Sequence, residues 1–460
     1  MNRTTLALME STLTTSALDA GDVSGEFVTV AGERFYAIRN VDRMAPFFIS
    51  VVSNDDHWLF VSSTGGLTAG RVSPETALFP YVTDDKIHDS CAHTGSKTLV
   101  RVHTGAELQY WEPFNQEQDS LYSTSRNLYK NVLGNKLCFE EVNHDLELAF
   151  RYTWATSDSF GFVRMCELQN IGDRSITADI VDGLQNILPA GTPAPVQASA
   201  STLLNAYKWT ELDEATGLAF LTLYSGITDR AEPYESLRAT TVFSLGLEEH
   251  RILISSSQLK DFRRGKTPTQ EPCRSGIRGA YLVSATLELE AQATKHWQIV
   301  ANPEQSQGQV VALRRQLEKP AEVFRAVVHS VDSGSDALAR MIARGDGFQV
   351  TAEEKETVHH YANVLFNLMR GGNFFDQYNI SSRDFAATIR HFNKEGYQRN
   401  RDLFDSLPDR LRVDALLMTI VKQGDSQLVR LAREYMPRTF GRGLGDPSRA
   451  WNRGEIKLKN

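Results

Sequence analysis

The sequence predicts a multidomain α+β chain: a large antiparallel β super-sandwich over residues 26–303, then an all-α helical linker region over 304–440. Two observations carry that reading. Up to about Pro303, apolar residues alternate with polar ones, and β-branched and aromatic residues lie between Gly, Asn and Asp turns. Beyond it, apolar residues recur at spacings of three and four, and Ala, Glu, Arg, Leu and Gln replace Val, Thr and Tyr. Residues 1–25 read as an N-terminal extension and 441–460 as a Gly-rich loop ending in a strand-like segment.

In chain order, "GEFVTVAGERFYAIR", "HWLFVSS", "KTLVRVHT" and "LELAFRYTWA" each alternate with period two, as half-buried strands do. "SFGFVRMCELQNIG" reads as a further strand closed by Asn-Ile-Gly, followed by "LAFLTLYSG", "RATTVFSLG" and "RILISSS". "GAYLVSATLELEAQATKHWQIVAN" alternates throughout and reads as one long strand for a wide sheet with a solvated face. So many strands exceed an immunoglobulin-size sandwich, so two large sheets packed face to face are expected. In "TAEEKETVHHYANVLFNLMRGG", Thr351 is the expected N-cap, with Glu354 three residues on and Gly371-Gly372 as the stop. "SSRDFAATIRHFNKEGY", "NRDLFDSLPDRLRVDALLMTIVKQGD" and "SQLVRLAREYMPRTFG" supply further helices.

Composition narrows the function. With 41% apolar and 23% charged residues the chain can bury large cores. No apolar run is long enough to span a membrane, and the N-terminus lacks a convincing cleavage site, so a cytoplasmic protein is expected. Net charge is −8, which argues against a nucleic-acid partner. The acidic excess lies in the β part and the helical part is slightly basic, which suggests two modules. Cys91, Cys138, Cys166 and Cys273 have no CxxC or His-spaced partner and read as free thiols in a reducing compartment. No cofactor is expected.

The polar clusters leave alternatives open. Asp55, Asp56, His57 and Trp58 precede "LFVSS". They are either a polar turn with Trp58 packed or a sugar-contacting edge. The adjacent acids cannot flank one bond, because neighbours on an extended chain face opposite ways. In "STGGLTAGR" the glycines do not form a phosphate loop, since no GK[ST] follows and no helix opens; Gly65, Gly66 and Gly70 read as positive-φ turns. Arg71 reads as holding a carboxylate within the fold, with a sugar or another domain as the alternative. Trp58 is expected to be buried, and Asp56, His57 and Arg71 exposed. Asp84, Asp85, His88 and Asp89 read as a solvated loop rather than a metal site. Tyr110, Trp111 and Phe114 around Glu112 are either core or a sugar platform, since a sugar's C–H face stacks on rings while its hydroxyls seek carboxylates. His144 reads as near the core. His359-His360 has no ligand at zincin spacing, and no metal site is expected.

"HWLFVSSTGGLTAGR" with "ALFPYVTDDKI", the helix "NVLFNLMRGG" and "GDPSRAWNR" together resemble the front half of the large cellobiose-phosphorylase-like proteins, relatives of the inverting glycoside phosphorylases. The resemblance covers nearly all of the chain past about residue 25. It implies a mutarotase-like super-sandwich and a helical linker that precede an (α/α)6 barrel, and the barrel would carry the catalytic acid. That barrel is missing here, so the expectation is a part inactive alone. It would shape the substrate site, bind glycan or hold subunits together, and its parent would be a glycoside phosphorylase or hydrolase. The partners implied are an oligo- or polysaccharide, inorganic phosphate in the intact enzyme, the missing catalytic domain and a second subunit in a homodimer. Asp56, His57, Trp58, Arg71, Trp111 and Glu112 are the candidate substrate contacts; no catalytic residue is assigned. The alternatives are a freestanding carbohydrate-binding or structural module, and a sugar epimerase, which would need a His/Glu pair in the sandwich groove.

Overall fold

A computed structural model describes residues 22–104, 107–225, 237–344, 347–370 and 379–435. The chain divides into two compact units, Met1–Ser335 and Asp336–Asn460. The fold class is as predicted: an antiparallel sandwich followed by helices.

The first unit carries β1 (Ser24–Val30), β2 (Glu33–Arg39), β3 (Phe48–Val51), β4 (His57–Ser62), β5 (Leu67–Arg71), β6 (Gly95–Thr104) and β7 (Glu107–Trp111). Next come β8 (Thr124–Asn131), β9 (Leu137–Asn143), β10 (Leu148–Ser157), β11 (Gly161–Asn170) and β12 (Ile176–Ile187), then helix α1 (Ala194–Asn205). After β13 (Lys208–Asp213), β14 (Leu218–Leu223), β15 (Arg238–Leu245) and β16 (His250–Leu253) comes the short α2 (Leu259–Arg263). β17 (Cys273–Ser275), β18 (Gly279–Leu289) and β19 (Thr294–Ser306) are the last described strands of this unit, and α3 (Gln307–Leu317) and α4 (Pro320–Arg344) follow, the residues of α4 from 336 on belonging to the second unit.

Among the described residues, one sheet has 11 strands in the order β1-β2-β8-β9-β10-β11-β19-β15-β14-β13-β17, and a second has 5 in the order β16-β18-β12-β6-β7. The hairpin β3-β4-β5 makes a third, smaller sheet. Alternation builds the core between them. Phe150, Trp154, Phe162 and Trp297 of the large sheet meet Val100, Ile180, Tyr281 and Val283 of the smaller one, and Val61 and Leu67 of the hairpin join them. On the other face of the large sheet, Val163, Met165, Phe243 and Val300 are covered by Leu317 of α3 and by Val323, Val327 and Val331 of α4. Ser306 caps α3 reciprocally with Gln309.

The stretch 279–302 is not one strand. It breaks at 290–293, where Gln292 takes a left-handed φ of 62° and Ala293 N–H donates to Glu290 C=O, so β18 and β19 enter different sheets. β9 ends at Asn143 and a turn follows, which leaves His144 exposed rather than near the core. Of the three glycines, only Gly65 has positive φ, at 91°. Gly70 is needed for close approach instead: a Cβ there would stand 2.7 Å from Ala77 Cα. All four cysteines are free thiols.

The second unit holds α5 (Glu354–Arg370), a two-stranded ribbon of β20 (Asn379–Ser381) and β21 (Arg410–Arg412), and helices α6 (Ser382–Phe392), α7 (Lys394–Arg399), α8 (Arg401–Ser406), α9 (Val413–Gln423) and α10 (Ser426–Glu434). Phe385, Ile389, Leu416, Ile420 and Leu428 form its core. Helix α5 starts at Glu354, three residues beyond Thr351, whose hydroxyl donates to Glu353 C=O. Gly371-Gly372 and the residues from 436 on lie outside the described residues. Among the described residues, no helix is long and apolar enough to cross a membrane.

Candidate functional site

A cavity of about 740 Å3 opens in the first unit where the β4–β5 turn, the 3-10 turns over 85–92, the start of β6, the loop after β7 and α2 converge. Thr98 of β6 and Tyr152 of β10 contribute to its lining. Behind them lies a fully buried ion pair that joins the two sheets, Arg164 of β11 with Asp182 of β12, at 2.8 and 2.9 Å. Asp182 also accepts from Thr98 Oγ1 at 2.6 Å and from Trp297 Nε1 at 2.7 Å. The Arg164 guanidinium lies 4.7 Å from the centre of the Tyr152 ring. A buried carboxylate is tolerable when its lone pairs are used in this way. These groups therefore act as a fixed backing to the cavity.

Glu112 is the buried acid of the cavity. Its carboxylate meets Lys97 Nζ and accepts from Tyr110 Oη, and Arg263 of α2 donates to it from Nη2 at 3.1 Å and Nε at 3.2 Å. Burial opposes its ionisation, but Lys97, Tyr110 and Arg263 together hold its carboxyl below the usual range. Burial and the same carboxylate push the Tyr110 hydroxyl up, so it stays protonated. Glu112 is thus ionised at neutral pH and cannot protonate a leaving oxygen, which requires a carboxyl held protonated near pH 7. The lining also holds an ammonium and a guanidinium as donors, Asp89 and Glu117 as acceptors, and the aromatic rings of Phe114 and Tyr152.

Phe114 belongs to the same loop and has a φ of 65°, uncommon for a bulky residue and costing about 1–3 kcal/mol. Glu141 holds it there: the Phe114 N–H donates to Glu141 Oε2 at 2.6 Å, and Glu141 also accepts from Arg126 Nε at 2.6 Å and Trp111 Nε1 at 2.8 Å. The half-buried Phe114 ring packs edge-on against Tyr152, with centroids 5.3 Å apart. On the other side of Phe114 lies a second cavity of about 300 Å3, which shares Pro46, Thr64, Phe114 and Gln116 with the first.

The six candidate contacts fall into two groups. Antiparallel pairing sets His57 opposite Arg71 and Trp58 opposite Gly70. Arg71 does hold carboxylates within the fold: its Nε donates to Asp56 Oδ1 at 2.6 Å and its Nη2 to Asp55 Oδ2 at 3.1 Å. Asp56 and Arg71 are only half-exposed. Contrary to expectation, His57 is buried, 1% exposed, with its ring edge-on to Phe162 at 5.1 Å. Burial, with Arg71 nearby, lowers its pKa to about 3, so the ring is neutral. Ligand atoms of Asp55, Asp56 and His57 lie within 4.8 Å of one another, as metal ligands would. The Arg71 guanidinium already supplies the positive charge there, and a cation would have to displace it. Trp58 is 3% exposed and Trp111 0%, so neither ring is open to stack on a sugar. Trp111 points between the sheets and donates to Glu141 instead. Only Glu112 of the six lines the large cavity.

Lys97, Arg263, Tyr152 and the role of Phe114 escaped the sequence reading. Lys97 and Arg263 lie far apart in the chain, and no local spacing links them. His88 and Asp89, read as solvated, line the cavity, and His88 Nδ1 is 2.7 Å from Ser62 Oγ. A His/Glu pair of the kind an epimerase needs also occurs. His296 Nδ1 stands 3.7 Å from Glu167 Oε2, with burial raising the Glu167 carboxyl and lowering His296 to about 4. The cavity beside the pair measures about 30 Å3, room for a water molecule and not for a sugar ring.

Residues 374–437 match the family described as glycoside hydrolase family 149 insertion domain 1, so that segment of the helical part is similar to that domain. No curated protein sequence matches the chain. Among solved structures, a bacterial glucoamylase complexed with acarbose is similar at 9% identity and a TM-score of 0.39, over 85% of this chain and 58% of the glucoamylase. A protein named as a kojibiose phosphorylase from the human microbiome gives 10% identity and 0.30, over 73% of this chain and 37% of its own. One named as an aldose 1-epimerase from Klebsiella pneumoniae gives 10% and 0.30, over 66% and 93%. The chain thus spans little more than half of the glucoamylase and about a third of the phosphorylase.

Proposed function

We propose that this chain is the sandwich-and-linker part of a glycoside phosphorylase- or hydrolase-like enzyme and that it binds glycan and shapes the substrate site without performing the chemistry. The observation that carries this is the state of Glu112: it lines a cavity of about 740 Å3, yet two cations and a phenol keep it ionised. A binding role tolerates that state and a general-acid role does not, and Lys97, Arg263 and Tyr110 occupy the oxygens that a base or nucleophile would have to present. The match of residues 374–437 to a glycoside hydrolase insertion domain supports the enzyme class. Protonation of the leaving oxygen, and attack by phosphate or water, are assigned to a catalytic barrel domain outside the described residues.

The test is turnover by the purified chain on cellobiose and laminaribiose, with and without inorganic phosphate. No release of glucose or glucose 1-phosphate is expected. Turnover that Glu112→Gln abolishes would refute the reading, because it would make Glu112 a catalytic residue.

A further inference from the structure

We infer that Lys208 is a nucleophilic lysine that takes up carbon dioxide as a carbamate, a modification independent of the glycan-binding role. Lys208 opens β13, and its side chain shares the core-facing side of that strand with Thr210 and Leu212. The residue is 2% exposed. Lysines are almost never buried so far unless paired, yet among the described residues its Nζ has neither a hydrogen bond nor an ion pair. The charges around it are of its own sign. Gly276 N–H donates to Lys208 C=O at 3.0 Å, which sets the turn between β17 and β18 beside it, and Arg278 of that turn acts on the Lys208 ammonium as a like charge. Arg278 acts in the same way on His93, which follows the 3-10 turns over 85–92. Arg278 and His93 are exposed, and neither has a carboxylate partner among the described residues. Three basic groups from three separate segments thus meet without a counter-charge.

A desolvated lysine beside a second cation is one of the ordinary ways in which an amine becomes a nucleophile. Burial, then Arg278, lowers the Lys208 pKa to about 8, so part of the population carries a free lone pair near neutral pH. The surroundings select the electrophile through the charge of the product. An aldehyde would give an iminium, still a cation facing Arg278, and its carbon chain would need room that a residue 2% exposed does not offer. Carbon dioxide is small and linear, and its adduct is an anion. The Nζ lone pair bonds to the carbon, one C=O electron pair moves onto oxygen, and Nζ gives up one proton to solvent. The product is –NH–COO−, with nothing oxidised or reduced. The like-charge contact with Arg278 then becomes an ion pair. Lys130 is the internal contrast. Burial alone lowers its pKa to about 8 as well, but its Nζ already donates to Ser50 C=O at 2.8 Å and no second cation contributes.

The test is incubation of the full chain with isotope-labelled bicarbonate at a pH of about 8, where Lys208 is half neutral. Carbon NMR reads the carbamate, and trapping its carboxyl by ethylation with a trialkyloxonium salt places it by peptide mass spectrometry. The trapped group is expected on the peptide that contains Lys208 and not on the one that contains Lys130. Arg278→Gln, at an exposed position, should lower the occupancy by about twofold to fivefold, since it removes the ion-pair partner and lets Lys208 protonate more readily. Lys208→Met should abolish the signal assigned to this peptide. Absence of a trapped carboxyl on Lys208, equal trapping on Lys130, or an occupancy untouched by Arg278→Gln would each overturn the inference.

Discussion

Replacing Trp58 by alanine separates a packed strand from a ligand-facing rim. The indole lies between Tyr81, edge-on at 5.4 Å, and Phe60, tilted at 6.1 Å, with Leu188 and Ala77 completing the cluster. An aromatic side chain buries about 150–250 Å2, which at about 25 cal/mol/Å2 comes to about 4–6 kcal/mol. Against this, Trp58 Nε1 is buried with no hydrogen-bond partner among the described residues, and removing such a donor returns about 1–3 kcal/mol. The expected cost of Trp58→Ala is therefore about 3 kcal/mol, at the low end for aromatic truncations. Arg71→Ala is the comparison. Its carboxylate partners are 37% and 21% exposed and water can take over from it, so about 1 kcal/mol is expected. Urea unfolding followed by far-ultraviolet circular dichroism reads both as midpoint shifts at constant slope. Trp58→Ala within about ±0.5 kcal/mol of the parent, with Arg71→Ala the costlier change, would show that the faces of β4 are inverted.

The burial of His57 predicts a pH dependence. Its folded-state pKa, about 3, lies below the ordinary 6.5, so below 6.5 the unfolded chain binds a proton that the folded one refuses. Its contribution to stability is complete above 6.5 and is lost as pH falls toward 3; thermal melts across that window should show a shallower decline for His57→Gln. The outer face of the large sheet predicts a boundary: a chain ending at Ser335 should unfold cooperatively, whereas one ending at Ser306 should bind a hydrophobic dye and aggregate. The reason is that it would leave Val163, Met165, Phe243 and Val300 without Leu317, Val323, Val327 and Val331. A cooperative, dye-silent Ser306 product would refute that.

The sandwich was legible because its strands alternate cleanly. Leu148, Phe150, Tyr152 and Trp154 of β10 all point into the core between the sheets, as period two requires. The break at 290–293 was not legible, because it contains no Gly, Pro, Asn or Asp and rests on Gln292 accepting a left-handed backbone that local sequence does not favour. Period two on its own would turn one of the adjacent Glu140 and Glu141 outward, yet both are buried. β9 lies inside the large sheet with both faces covered, and each carboxylate has its own arginine, Arg151 and Arg126. Burial of a charge depends on a partner from another strand, and a single strand's pattern does not contain it. The same holds for the site: Glu112 was visible among aromatics, but Lys97 and Arg263, which decide its protonation, come from distant segments.

The position of β19 has a consequence for how the molecule is made. It is the last strand of the first unit in sequence, yet it sits between β11 and β15, and it alone connects the early strands of the large sheet to the late ones. During synthesis the edges of β11 and β15 stay unpaired until residues 294–306 have emerged. Exposed edges of that kind recruit other chains. Closing them requires pairing between segments remote in sequence, which is slow. The interval before residues 294–306 emerge is therefore the one in which those two edges are open to pairing with other chains.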